Sequence, residues 1–280
     1  MNIDVILNTQ LPLTLFKKGK VRDLYDLDER LLIVSTDRIS AFDIVLPNGI
    51  PCKGEALNRL SAYWFNETKD IVPNHIIEIV DPRIVLVKKT ENIKVEFVVR
   101  GYLYGSAWEN YQKRKPICGI HLPRGLEKAE RLPKPLLTPT TKAETGHDIE
   151  MTQKEAAKKV GKTLAEEIGE VCLRIYERAS KKAEANGIIV ADTKMEFGIL
   201  NRELILIDEL LTPDSSRFWP KDKYKVGKNQ PSFDKQYVRD YLSSIGWNKK
   251  PPAPKLPEQV VFETSKKYVE AYERLTGRKF

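Results

Sequence analysis

Cysteine and histidine are scarce in this chain of 280 residues. The three cysteines, Cys52, Cys118 and Cys172, stand far apart and are odd in number. That argues against a disulfide framework and a CxxC-type zinc site, and fits a reducing compartment. The three histidines, His75, His121 and His147, lack metal-ligand spacing. The metal sites left open are those of a hard cation held by carboxylates. Long apolar runs are also missing: no stretch approaches the roughly 18 residues of a membrane span. The opening MNIDVILNTQ has neither the basic start nor the apolar core of a secretory signal. The expectation is a cytoplasmic protein with no membrane partner.

Apolar residues make up 41% of the chain and charged residues 31%, enough for a folded core. The length suits two lobes or one large α/β unit. The net charge is +8, but the bases are spread along the chain and interleaved with acids, as in 154–184. That pattern suits a few placed bases on a phosphorylated ligand better than a nucleic-acid surface.

Short β-branched runs at 20–27, 31–35 and 84–89 read as strands, with DLDE (26–29) as a hairpin turn. Residues 57–68 have helical spacing. These elements form a β-rich lobe over 1–92, and a second α/β lobe is expected over 93–280. In the second lobe a strand starts near 95, and the Pro-, Gly- and Thr-rich segment 123–148 reads as loop. Thr152 and Glu155 form a capping box. Ala157, Val160, Leu164, Ile168, Val171 and Ile175 continue from it as one buried helical stripe, which Asn186-Gly187 ends. A last helix is expected over 258–275.

Two apolar runs carry acids: GIIVADTKMEFGIL (187–200) and LILIDELL (204–211). With a turn centred on Arg202, Glu196 and Asp208 become direct cross-strand neighbours, and Lys194 and Asp192 share their face. Like charges so placed repel, and burial adds to the cost. A divalent cation would offset both; a slipped register or a solvated edge would remove the problem instead.

Four further stretches hold candidate chemistry. KKGKVRDLY sets Gly19, Lys20, Val21 and Arg22 at a turn, either a phosphate cradle or a plain basic turn. STDRISAFDIVLP gathers Ser35, Asp37, Arg38, Ser40 and Asp43, a donor–acceptor mixture suited to a zwitterion or to a polar loop. VEFVVRGYLYGS brings Arg100 out of an apolar strand toward Ser106. TPDSSRFW places Asp214, Ser215, Ser216 and Arg217 in turn chemistry beside the acids. A His147-Asp148 pair adds a possible charged contact. Jointly these are the parts of nucleotide-dependent phosphoryl chemistry.

GKVRDLY, STDRISAFD, KGEALNRLS, VEFVVRGYLYGS, TKAETGHD, DTKMEFG, IDELLTPDSSRFW and PSFDKQYVRDYL, in this order, resemble the phosphoribosylaminoimidazole-succinocarboxamide synthase (SAICAR synthetase) family. The resemblance implies an α+β, two-lobed fold similar to the ATP-binding lobes of ATP-grasp enzymes and protein kinases. It implies a ligase that uses ATP and Mg²⁺ to join L-aspartate to the carboxylate of the imidazole ribonucleotide CAIR in purine synthesis. By motif, Gly19, Lys20, Val21, Arg22 and Lys88 would hold ATP, and Glu196 and Asp208 would hold Mg²⁺ and ATP. Lys194 and Lys20 would neutralise the transferring phosphate. Arg100, Ser106 and Arg217 would hold the substrate phosphate, and Asp214 and Ser216 would also bind substrate. Asp37, Arg38, Ser40 and Asp43 would form the substrate-side loop, with Asp37 or Asp43 receiving the amine proton. Ser215 stands where many members have glycine. A small-molecule kinase on a similar scaffold is the rival enzyme, though no HRD-like or DFG motif is present. A basic nucleic-acid-binding module is the rival of another class. The oligomeric state, monomer or dimer, is left open.

Overall fold

The computed structural model describes residues 4–142, 149–233 and 235–280. The His147-Asp148 pair lies outside the described residues. β1 (Leu15–Lys18), β2 (Arg22–Leu27) and β3 (Arg30–Ser35) start an antiparallel sheet. A small hairpin of β4 (Arg38–Ala41) and β5 (Ile44–Gly49) comes next, then helix α1 (Lys53–Glu67). β6 (Ile76–Asp81) and β7 (Ile84–Lys88) complete the first sheet, in the order β1-β2-β3-β7-β6.

The second sheet begins with β8 (Glu91–Tyr102), followed by the short helix α2 (Ser106–Gln112) and β9 (Arg131–Thr141). β9 corrects the reading of 123–148 as loop. Its prolines, Pro133, Pro135 and Pro139, are tolerated because β9 is an edge strand, where a missing N–H is harmless. The capping box is present, with Thr152 accepting from the Glu155 N–H. The helix it starts is, however, two helices: α3 (Gln153–Val160) and α4 (Lys162–Ala185). Gly161, at φ 95°, breaks the hydrogen-bond ladder between them.

β10 (Ile188–Leu200), β11 (Glu203–Ile207) and β12 (Ser216–Pro220) give the order β11-β10-β8-β9, with β12 also paired to β10. Strands predicted to alternate do so. Val95, Phe97, Val99, Met195 and Phe197 face α4, where Ile168, Val171, Cys172 and Ile175 complete one core. Each such side chain, fully buried, contributes about 1.5–3 kcal/mol. The opposite face of β8 and β10 is left for polar residues. The tail helices α5 (Gln236–Ser244) and α6 (Glu258–Thr276) pack with α1 and the β4–β5 hairpin around Ile39, Leu57, Val238 and Tyr268.

Candidate active site

The polar face of the second sheet is a ladder of charges. Strand pairing sets Glu96 opposite Glu196, Val98 opposite Lys194 and Arg100 opposite Asp192. Arg217 of β12 lies on the other side of Asp192. Residues two apart on β8 and β10 therefore present Glu96 and Arg100, and Asp192, Lys194 and Glu196, to one side.

The register of the β10–β11 hairpin corrects the sequence expectation by one residue. Glu196 pairs with Ile207, not Asp208, and the loop is the two residues Asn201-Arg202. Both have positive φ, 53° and 67°, the geometry of a type I′ turn. A one-residue slip would send Asp208 to the face of Met195 if the strand ran on. It does not run on. Asp208 adopts φ 68°, which ends β11, and its carboxylate reaches the same ammonium as Glu196. Lys194 Nζ bonds Glu96 Oε1 at 2.8 Å, bonds Glu196 Oε1, and lies 3.9 Å from Asp208 Oδ2. Lys142 bonds the other oxygen of Glu196. Arg22, from β2 of the first sheet, donates to Asp208 at 2.7 Å and lies 3.6 Å from Glu209.

The cross-strand pair expected from sequence, Glu196 with Asp208, does not form; the like-charge pair that does form is Glu96 with Glu196. Burial, reinforced by Glu196, outweighs Lys194 and pushes the Glu96 carboxyl up to about 7. For Glu196, burial and Asp208 push upward, but Lys194 and Lys142 prevail and hold it below the usual range. Burial would also raise Asp208; Arg22 and Lys194 hold it far below. His75, buried against Phe65, is driven down to about 4 by burial and stays neutral near pH 7. A small cleft opens beside this cluster, lined by Ile33, Phe65 and Val85 on its apolar side and by Arg22 and Asp208 on its polar side.

A second cluster lies along the same face. Asp192 is bonded by Arg217 and sits 3.6 Å from Arg100. Arg100 also donates to Thr138 at 3.0 Å and to Ser106 at 3.4 Å. Two guanidiniums share one carboxylate. Arg217, expected in a turn, is on β12. Gly105 (φ 60°) makes room for it; a Cβ there would meet Arg217 Nη2 at 2.7 Å. Ser216 donates to Thr193 at 2.8 Å.

The remaining predicted residues are spread around these clusters. The Gly19 N–H donates to Arg22 O at 2.8 Å, and a Cβ on Gly19 would meet that oxygen at 2.9 Å. Val21 O accepts from Thr36. Lys20, half-exposed, pairs with Asp43 at 2.5 Å rather than with the Lys194 cluster. Arg38 is buried and donates to Gly19 O, Lys20 O, Leu7 O and Asp23, bracing the Gly19–Lys20 turn from below. Asp37 is buried and accepts from Ile6 N, Gly54 N and Arg83. Ser40 lies in β4 opposite Val45, and Lys88 closes β7 with its N–H on His75 O. Asp214 is held by Lys53, Lys235 and Tyr268.

Sequence reasoning did not single out Glu96, Lys142, Glu209, Lys53 or Lys235, although all five lie inside the motifs quoted above. The signal for Glu96 was the same as for Glu196, a lone carboxylate within an apolar run.

The family model described as SAICAR synthetase matches residues 15–254. The chain belongs to the SAICAR synthetase family. A phosphoribosylaminoimidazole-succinocarboxamide synthase of Desulfosudis oleivorans is 54% identical, with 98% of this chain and 99% of that one covered. One from Thermodesulfovibrio yellowstonii is 52% identical over the same shares. The structure of a SAICAR synthase from Saccharomyces cerevisiae complexed with SAICAR superposes with a TM-score of 0.91 at 41% identity, covering 98% and 99%. A SAICAR synthetase in complex with ADP gives 0.72 at 25%, covering 94% and 98%. As a SAICAR synthetase this chain is an ATP-dependent, amide-forming ligase with the family's two-lobed fold.

Proposed function

We propose that this ligase joins L-aspartate to the carboxylate of CAIR through an acyl phosphate, yielding SAICAR, ADP and phosphate, between lobes formed by residues 1–92 and 93–280. The observation that carries the reading is the placement of two unlike clusters on one sheet face. Lys194, Glu196 and Asp208 form a phosphate-transfer end, and Arg100, Asp192 and Arg217 form an anion-binding end. Glu196 and Asp192 are four residues apart on β10, which is about 13 Å at strand rise. That suits a nucleoside monophosphate lying along the strand, with its 5′-phosphate on Arg100, Ser106 and Arg217 and its ring carboxylate near Lys194.

Mg²⁺ fits the donor set. Its oxygens are hard carboxylates, and among the described residues no group of three His, Cys, Asp or Glu forms a ready-made cage. Mg²⁺ commonly takes one or two carboxylates and completes its shell with water and substrate phosphates. Glu196 and Asp208 would hold it, and it would supply neutralisation of the transferring phosphoryl charge.

The chain's own residues then act by position and charge. Arg22 fixes Asp208, and Lys194 is held by three carboxylates at the point where charge develops. Lys20, on a turn braced by Arg38, reaches the nucleotide phosphates. A CAIR carboxylate oxygen attacks Pγ as the Pγ–O bond to ADP breaks. The aspartate nitrogen then attacks the acyl carbon, the C–O bond to phosphate breaks, and the amine proton is released. Cytoplasmic residence belongs to the same proposal, since ATP and aspartate are met there.

The test is ADP release with CAIR and aspartate, omitting each in turn, using CAIR labelled with ¹⁸O in its carboxylate. Label in the released phosphate supports the acyl phosphate. ADP formed equally well without aspartate, with a stable phosphorylated product, would instead favour a kinase.

A further inference from the structure

Residues 208–217 link the two clusters, with Asp208 at one end and Arg217 at the other. The segment is held in costly geometry: Asp208 and Leu211 have φ of 68° and 52°. Non-glycine residues keep such angles only where surrounding structure over-determines them. The over-determination is found at Asp214. Its Oδ2 pairs with Lys53 Nζ at 2.9 Å and Lys235 Nζ at 3.0 Å, and its Oδ1 accepts from Tyr268 OH at 2.6 Å. Lys53 is 0% exposed, and its ammonium lies 5.4 Å from the Tyr268 ring centroid. The partners come from three separate places: the start of α1, the residue before α5, and the middle of α6.

A buried ion cluster of this kind contributes little net stability compared with apolar packing of the same volume. What it does give is a fixed position. Next to Asp214, the Ser215 carbonyl accepts from the Lys194 N–H at 2.8 Å, and the Leu210 N–H donates to Ser61 at 3.0 Å. A shift of Asp214 would therefore move Lys194, Asp208 and Arg217 together.

We propose that Lys235 and Tyr268, carried by the C-terminal tail, are positioning residues for the ligase reaction: together with Lys53 they hold Asp214 and so set the spacing between the phosphate-transfer and substrate-phosphate ends. The inference rests on the function proposed above. A misplacement of about 1 Å suffices for an effect, because reacting groups must meet in near-attack geometry.

The experiment uses Lys235→Met, Lys235→Arg and Tyr268→Phe in the full chain, with kcat, KM for CAIR and thermal midpoint measured for each. Lys235→Met should raise KM for CAIR and lower kcat, each about tenfold, at temperatures where the protein is fully folded. Lys235→Arg should restore most of both, and Tyr268→Phe should give a smaller change in the same direction. Wild-type kcat and KM in folded Lys235→Met or Tyr268→Phe, with only a lowered midpoint, would reduce the cluster to a structural one and sink the proposal. If Lys235→Met does not fold, Tyr268→Phe decides by the same criteria. Failure of the underlying function is separately visible, because the unmodified chain would then release no ADP in response to CAIR and aspartate.

Discussion

Arg22 and Asp208, 186 residues apart in the chain, are joined by a 2.7 Å hydrogen bond that ties the first sheet to the end of a hairpin in the second. Asp208 thus shares its carboxylate between an arginine from one sheet and Lys194 from the other. The first and second sheets meet at that carboxylate.

Glu196→Gln and Asp208→Asn should each lower Mg²⁺-dependent turnover about 10²–10³-fold, the scale seen when one charge-stabilising group is removed. Steady-state rates across a Mg²⁺ titration check this. Near-normal rates in both variants would refute the cation assignment.

Arg217→Ala should raise KM for CAIR about 10–100-fold, since hydrogen bonds to charged groups contribute roughly 1.5–3 kcal/mol. Gly105→Ala should act in the same direction. Its Cβ would displace Arg217, and its backbone, at φ 60° and ψ −138°, is one that non-glycine residues rarely adopt, at a cost of about 1–3 kcal/mol. An unchanged KM in Arg217→Ala removes that residue from the phosphate end.

The acid limb of stability should depend on Asp214. Burial would raise its carboxyl, but Lys235 and Lys53, with hydrogen bonds from Lys53 and Tyr268, hold it well below the ordinary range. A depressed carboxyl binds fewer protons folded than unfolded, so its stabilisation is present above the unfolded pKa of about 3.9 and is lost as pH falls below it. Asp214→Asn should be less stable at pH 7 by about 3–5 kcal/mol, because two buried lysines lose their partner. Its stability should also fall less steeply below pH 4. Denaturant unfolding at several pH values reads both; an acid limb as steep as wild type would contradict the shift.

Thiol labelling of the folded chain should find Cys52 first. Burial raises all three thiols, Cys118 to about 11 and Cys172 further, but Cys118 and Cys172 are buried while Cys52 is partly exposed. One fast equivalent is expected with a disulfide reagent, and three after denaturation. Fast labelling of Cys172 would contradict the packing of α4.

Local signals were readable where neighbouring residues satisfy one another. The Thr152–Glu155 capping box, the β2–β3 hairpin and α6 all stand close to their predicted positions, because turn and cap chemistry acts over three or four residues. The hairpin register was not readable. Nothing about Arg202 announces a positive φ, and one residue decides which side chain faces which. β9 was hidden because three prolines argue for loop unless the strand is known to be an edge. The pairing of Lys20 with Asp43, and of Asp214 with Lys53 and Lys235, depends on elements brought together only by the fold. Arguments from burial identified Glu196 as unusual; they could not identify Glu96 as its partner without strand order.

The prolines of β9 also govern what the molecule does in company. An open sheet edge offers a row of unpaired donors to any passing strand, the first step in aggregation. Pro133, Pro135 and Pro139 remove three of those donors, and the Pro139 carbonyl is already taken by the Met151 N–H at 2.9 Å. β9, the strand at the edge of the second sheet, is therefore a poor template for another chain.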